Sequence, residues 1–169
     1  IITRTWSLVD KCGNKAEDQI QTITVKDNIA PTWTTAATAL NTTIECSNTE
    51  ALATAQSKFP VASDNCDSDV TNIVKNAGQF VANSGCANSG SYTNTWTVTD
   101  ACSNTSEVFT QVITIEDKTA PTWTTAATAL NTTIECSNTE ALATAQSKFP
   151  VASDNCDSDV TNIVKNAGQ

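Results

Sequence analysis

Apolar and polar residues alternate with a period of two along Tyr92–Thr99. Tyr92, Trp96 and Val98 share one face with Asn94, and Thr93, Thr95, Thr97 and Thr99 share the other. Successive side chains of a strand point to opposite sides, so the pattern predicts a strand with one buried and one wet face. Asp100–Thr105 reads as a turn-rich loop. Val108–Glu116 resumes the alternation with Phe109, Ile113 and Ile115 on one face. Together they predict a hairpin whose core residues are Trp96, Val98, Phe109, Ile113 and Ile115. The same pattern recurs at Thr3–Val9 and Gln19–Val25.

Upstream, Pro31–Thr35 and Thr42–Cys46 predict short edge strands. Ser47-Asn-Thr-Glu50 has the form of a capping box, and good helix formers follow over Ala51–Lys58 until Pro60 stops them. Val61–Asp69 is a polar turn region. Val70–Val74 and, more weakly, Gln79–Ala82 are further strand candidates. Short strands at this spacing predict an all-β fold of antiparallel sandwiches, with one short helix per unit.

The elements repeat because the sequence repeats. Residues 30–79 recur unchanged as residues 120–169, a period of 90, and residues 1–29 align on 91–119 at lower identity. A fixed period marks an array of units. The expected division is the C-terminal half of a module (1–29), a complete module (30–119) and the N-terminal half of the next (120–169). Asp27–Pro31 and Asp117–Pro121 link the units with a proline and no glycine, which predicts semi-rigid joints.

Composition narrows the function. The chain holds 18 acidic residues against 9 basic ones and no histidine. In 30–119, Lys58, Lys75 and Lys118 face nine carboxylates, and three minus nine leaves −6. Nucleic acid and anionic membranes need a basic footprint, so neither is expected as a partner. No apolar run reaches the roughly 20 residues of a membrane span. Without histidine the commonest acid–base group is missing, and no nucleophile has a base beside it, so no enzyme and no catalytic residue is expected. The seven cysteines sort by period: Cys12, then Cys46, Cys66, Cys86 and Cys102, then Cys136 and Cys156. Four per small unit, with no C-x-x-C and no histidine, predict two disulfides in an oxidising compartment rather than a zinc site. Four cysteines allow three connectivities.

Three stretches resemble hyalin-repeat (HYR-like) modules: Thr95-Trp-Thr-Val-Thr-Asp-Ala-Cys-Ser-Asn104, Val112-Ile-Thr-Ile-Glu-Asp-Lys-Thr-Ala-Pro121 and Ala62-Ser-Asp-Asn-Cys66. More narrowly, they are similar to tandem modules of giant Bacteroidetes surface proteins, including flavobacterial gliding-motility adhesins. The resemblance implies immunoglobulin-like sandwiches, type IX secretion and an adhesive or filament-forming role at the cell surface. Members lacking the cysteine of the Asp-Asn-Cys motif tend also to lack that of Asp-Ala-Cys. With the strand reading, this selects Cys66–Cys102 and Cys46–Cys86. The Ala-rich stretch 49–58 departs from the family, which often has a Pro-rich loop there.

Two sites remain to be weighed. Asp64, Asp67, Asp69 and Asp100 are expected at the pole facing Asp27 of the linker. Converging carboxylates are what Ca²⁺ takes, and it would stiffen the joint. The same residues in turns also bond their own backbone, and the spacing lacks the glycine and distal glutamate of an EF-hand. The threonine face of 93–99 could offer hydroxyls to glycans or ice, but exposed threonine is ordinary in strands. Trp33 and Trp123 read either as ligand platforms or as contacts at the domain edge. The expected function is a structural repeat of a long extracellular adhesin stalk or filament, with neighbouring identical modules as partners. The alternatives are a module binding glycans or other surfaces by avidity, and an accessory repeat of a secreted enzyme.

Overall fold

The computed structural model describes residues 1–166. The fold is mostly β, with several sheets and two short helices. In chain order the elements are β1 (Ile2–Trp6), β2 (Gln19–Ile23), β3 (Thr32–Trp33), β4 (Thr42–Glu45), α1 (Thr49–Gln56), β5 (Ala62–Ser63), β6 (Ile73–Asn76), β7 (Val81–Asn83), β8 (Cys86–Val98), β9 (Phe109–Glu116), β10 (Thr122–Trp123), α2 (Thr139–Gln146) and β11 (Ala152–Ser153).

The main sheet lies within 30–119. Its strands run β4-β9-β8-β6, with β7 also paired to β8. The β8–β9 hairpin is its spine: Trp96 faces Phe109, Asn94 faces Gln111, and Tyr92 faces Ile113. Strand β8 is longer than its threonine alternation indicates. Residues 83–86 turn tightly through Gly85 (φ 85°), so β8 starts at Cys86 and folds back on β7. One pairing departs from the antiparallel expectation. Strand β4 runs parallel to β9, with Thr42 opposite Ile113 and Glu45 opposite Glu116. Asn41 fixes that register, its side-chain oxygen accepting the Val112 N–H at 2.8 Å.

Helix α1 starts one residue later than a Ser47 cap requires. Asn48 is the N-cap, and its side-chain oxygen accepts the Ala51 N–H at 3.0 Å. The strand expected at 70–74 forms at 73–76 because Lys75 behaves as an inward residue. Its Nζ donates to the Gln56 carbonyl and lies 5.3 Å from the centre of the Trp96 ring. Val74 beside it is exposed.

Ile44, Ala55, Ile113 and Ile115 are buried together, joining β4, α1 and β9. Trp96, Val98 and Phe109 are also buried. A second layer, the β3–β5 pair, meets the sheet through aromatic rings. Trp33 packs edge-on to Phe109 at 5.5 Å, Phe109 to Trp96 at 6.0 Å, and Phe59 to Trp96 at 6.1 Å. Trp33 also donates its Nε1–H to the Glu107 carbonyl at 2.7 Å. In 30–119 this aromatic is therefore a packing residue at the domain edge.

Two polar side chains sit fully inside. Asn94 and Gln111 are both 0 % exposed. Asn94 Nδ2 donates to Gln111 Oε1 at 3.0 Å and to Gln56 Oε1 at 2.9 Å, and Asn94 Oδ1 accepts the Gly78 N–H at 3.0 Å. Gln111 Nε2 donates to the Leu40 and Ala55 carbonyls at 2.8 and 3.2 Å. The pair is satisfied throughout, so the low-dielectric interior strengthens these bonds. Gly78 has to be glycine: a Cβ there would lie 2.0 Å from the Thr93 carbonyl oxygen.

The β1–β2 hairpin keeps the alternation without the cover. Its strands pair only with each other, and Trp6 is 51 % exposed against 1 % for the aligned Trp96. No helix among the described residues is long and apolar enough to cross a membrane.

Gln111→Ala is expected to lower unfolding stability by about 2–4 kcal/mol, because it creates a cavity and strands the Asn94 amide. Denaturant titration checks this. A loss no larger than that of an exposed substitution such as Thr93→Ala would mean the pair does not organise the core.

Candidate functional site

The side chains that carry chemistry gather where one sequence copy meets the next. Two turns and a linker build the pole of 30–119 that faces residues 1–29. In the first turn Asp64 Oδ1 accepts the N–H groups of Cys66 and Asp67, both at 2.9 Å. In the second, Asp100 Oδ1 accepts those of Cys102 and Asn104 at 2.9 and 2.8 Å, and its Oδ2 accepts Asn104 Nδ2 at 2.7 Å. Asp67 ties the turns together, its Oδ2 accepting the Ala101 N–H at 3.1 Å. The linker carboxylate Asp27 closes its own turn on the Ile29 N–H at 3.0 Å. These aspartates satisfy backbone donors that no strand pairs with.

Three of the five predicted metal ligands come together. Carboxylate oxygens of Asp27, Asp64 and Asp100 lie within 4.8 Å of one another, and these residues could hold a divalent cation at the joint. Asp67 and Asp69 are not in the group. Asp67 spends its oxygens on Ala101 and on the Asp69 N–H.

Backbone N–H groups hold the Asp64 carboxyl below the usual range, those of Asp67 and Cys66 foremost. Asp154 is lowered by the N–H groups of Cys156 and Asp157, and Asp10 by its contacts to Asn14. The Cys66 thiol is pushed up, first by loss of solvent and then by the negative Asp27, Asp64 and Cys102 groups. Its thiolate is disfavoured there.

The opposite pole carries the second half of the site, a cysteine bond between two sequence copies. Cys46 is bonded to Cys156, with Cα atoms 5.9 Å apart and 110 positions between them in sequence. Cys66, Cys86 and Cys102 are free thiols, as are Cys12 and Cys136. Neither Cys46–Cys86 nor Cys66–Cys102 is present. Strand β4 delivers Cys46 to the pole that faces the following copy. Cys86 instead contacts Ser89, its Sγ 3.2 Å from the hydroxyl. Cys66 and Cys102 sit on turns of the same pole without bonding.

Side chains around the bond brace it. Asn155 Nδ2 donates to Glu45 Oε1 at 3.1 Å and to Ser47 Oγ at 3.0 Å. Glu45 also receives the linker, through the Lys118 N–H at 3.3 Å and the Thr119 hydroxyl at 3.3 Å. Sequence reasoning missed Glu45, Ser47 and Asn155 as members of one site. The available signal was the identity of Asn155-Cys156 with Asn65-Cys66: a motif assigned to the near pole of one copy must also reach the far pole of its predecessor.

Two outcomes are expected. Non-reducing tryptic mapping should join the Cys46 peptide to the sequence Phe-Pro-Val-Ala-Ser-Asp-Asn-Cys, which occurs in both copies. Cys156→Ser should remove that link and Cys66→Ser should leave it. Folded-state pKa values of Asp64 and Asp154 lie below their unfolded values, so their contribution is present above about pH 4 and is lost as pH falls through the folded values. Thermal melting should therefore be flat from pH 7 to 5 and fall steeply below about pH 4, with a shallower fall in Asp64→Ala.

No curated protein and no solved structure matches the chain. One family does: residues 34–115 match the HYR-like domain with 4 cysteines, and the four in that span are Cys46, Cys66, Cys86 and Cys102. Over that stretch the chain is similar to this family.

Proposed function

We propose that the chain is a run of tandem immunoglobulin-like sandwich modules from a long extracellular adhesin stalk or surface filament, and that its work is spacing. HYR-like domains are generally extracellular and typically non-catalytic, and the match suggests an adhesion-type repeat. The observation that carries the reading is the joint: Asn155 and Cys156 of one copy seat on Glu45, Cys46 and Ser47 of the copy before it. Units that grip their neighbours end to end project a rod whose length scales with copy number. The narrower assignment, to gliding-motility adhesins of Bacteroidetes exported by the type IX route, rests on the three quoted motifs.

The avidity alternative calls for an exposed aromatic platform. Trp33 packs against Phe109 and bonds Glu107 instead, which favours the spacer. Accessory service to a secreted enzyme would place a catalytic domain next to a few copies.

Small-angle scattering of chains lengthened by whole periods tests the proposal. Each period is expected to add a constant increment of about 35–45 Å to the maximum dimension, roughly the length of a ten-residue strand plus its turns. Compact growth, with radius rising only as about the 0.38 power of chain length, would refute the rod. Ca²⁺ on Asp27, Asp64 and Asp100 is part of the proposal. A melting transition raised by Ca²⁺ and lowered by EDTA supports it, and one that ignores both removes the ion while leaving the spacer.

A further inference from the structure

The Cys46–Cys156 bond joins two copies of one sequence, so its chemistry is available at every joint. Asn65-Cys66 is identical to Asn155-Cys156, and Glu135-Cys136-Ser137 is identical to Glu45-Cys46-Ser47. The free copies differ from the bonded ones in where the neighbouring side chains reach. Asn65 Nδ2 lies on its own Cys66 sulfur at 2.9 Å, whereas Asn155 Nδ2 reaches Glu45 and Ser47. Cys136 Sγ rests on Glu135 Oε1 at 3.2 Å, in the orientation Cys46 has toward Glu45 at 3.5 Å.

The geometry points to a second covalent path through the array, shorter than the backbone, that carries tension and shields most of each unit from it. It rests on the tandem reading. In every repeat the cysteine of Ile-Glu-Cys bonds to the Asp-Asn-Cys cysteine of the next. Each bond forms from two thiols, which give two protons and two electrons to a small-molecule disulfide such as oxidised glutathione, itself released as two thiols.

The topology of this path follows from the positions of the cysteines. Pulling on the chain ends loads the backbone up to Cys46, crosses the bond to Cys156, and leaves the residues between them slack. In a longer array the path runs back from Cys156 to Cys136 and crosses to the following repeat. Only the 20-residue link Cys136–Cys156, equivalent to Cys46–Cys66, is loaded in each period of 90. That link holds α2 and β11, as Cys46–Cys66 holds α1 and β5. The β8–β9 hairpin, with Asn94 and Gln111 inside it, lies off the path. Tension would test the short helix link and the sulfur bridges, while the sheet that gives each unit its stability stays unloaded.

Single-molecule force spectroscopy on the 169-residue chain, pulled from its ends, reads this directly. Reduction is expected to lengthen the fully unfolded contour by about 36–40 nm, the 110 positions closed by the bond at roughly 3.3–3.6 Å each. Oxidised Cys156→Ser should match the reduced wild type. That comparison holds even if the variant folds poorly, since contour at full extension depends only on connectivity. Adding one period to the oxidised chain should add about 7 nm, against about 30 nm with no bond between repeats. A gain on reduction of only about 13–14 nm, the 40 positions from Cys46 to Cys86, would overturn the path. So would no gain at all, or an added period that releases its whole length. If the contour ignores reduction while scattering still shows a constant rise per period, the covalent path fails and the spacer stands. A compact particle with the expected contours would keep the covalent path and remove the spacer.

Discussion

The unit is organised around one buried polar pair. Asn94 and Gln111 face each other across the β8–β9 hairpin, and their amides reach Gln56, Ala55, Leu40 and Gly78. These contacts tie the hairpin to α1 through Ala55 and Gln56, to Leu40 and to Gly78, so the pair acts as a register pin. A slip of β8 against β9 by one residue would turn Asn94, Trp96 and Val98 outward together and leave the Gln111 amide buried without Asn94. An all-apolar core would tolerate several packings of so small a fold. This one is specified by hydrogen-bond geometry.

The hairpin was the most legible part of the sequence, since a period of two survives even with threonine and asparagine among the apolar residues. Asn94 could be placed on the apolar face, but its role could not be read without Gln111, which lies 17 residues on and resembles any surface glutamine. The helix was legible to within two residues at its ends, and the choice of Asn48 over Ser47 is a local contest between two good caps. Parallel pairing of β4 with β9 left no local trace, because its partners are 71 residues apart and no turn announces them. Lys75 defeated the pattern at β6 because its hydrocarbon stem and its cation both find partners inside.

The junction was half visible. The aspartates of the Asp-Asn-Cys and Asp-Ala-Cys turns were expected to meet Asp27. Asp64 and Asp100 do, while Asp67 bonds across to the neighbouring turn. The cysteines were harder to read because repetition hides partnership. When two copies are identical, a residue's partner within its own unit and its partner in the next have the same sequence, so spacing cannot separate them. Only the three-dimensional polarity of the unit does. Strand β4 delivers Cys46 to the far end, and the turn at 64–67 holds Cys66 at the near end.

That identity also bears on assembly. Strand β9 can meet two copies of Asn-Thr-Thr-Ile-Glu with equal side-chain chemistry: the one at 41–45 and the one at 131–135. The later copy is closer along the chain, and loop-closure entropy alone would favour it by about 1 kcal/mol. The earlier copy is the one paired in the structure, held there also by the bonds of Gln111 to Leu40 and Ala55. Asp117–Pro121 folds onto Glu45 through the Lys118 N–H and the Thr119 hydroxyl, against the strand that fills the edge of β9. The short proline-bearing hinge is thus fastened to the residue that ends β4, and the later copy of the sequence departs from there.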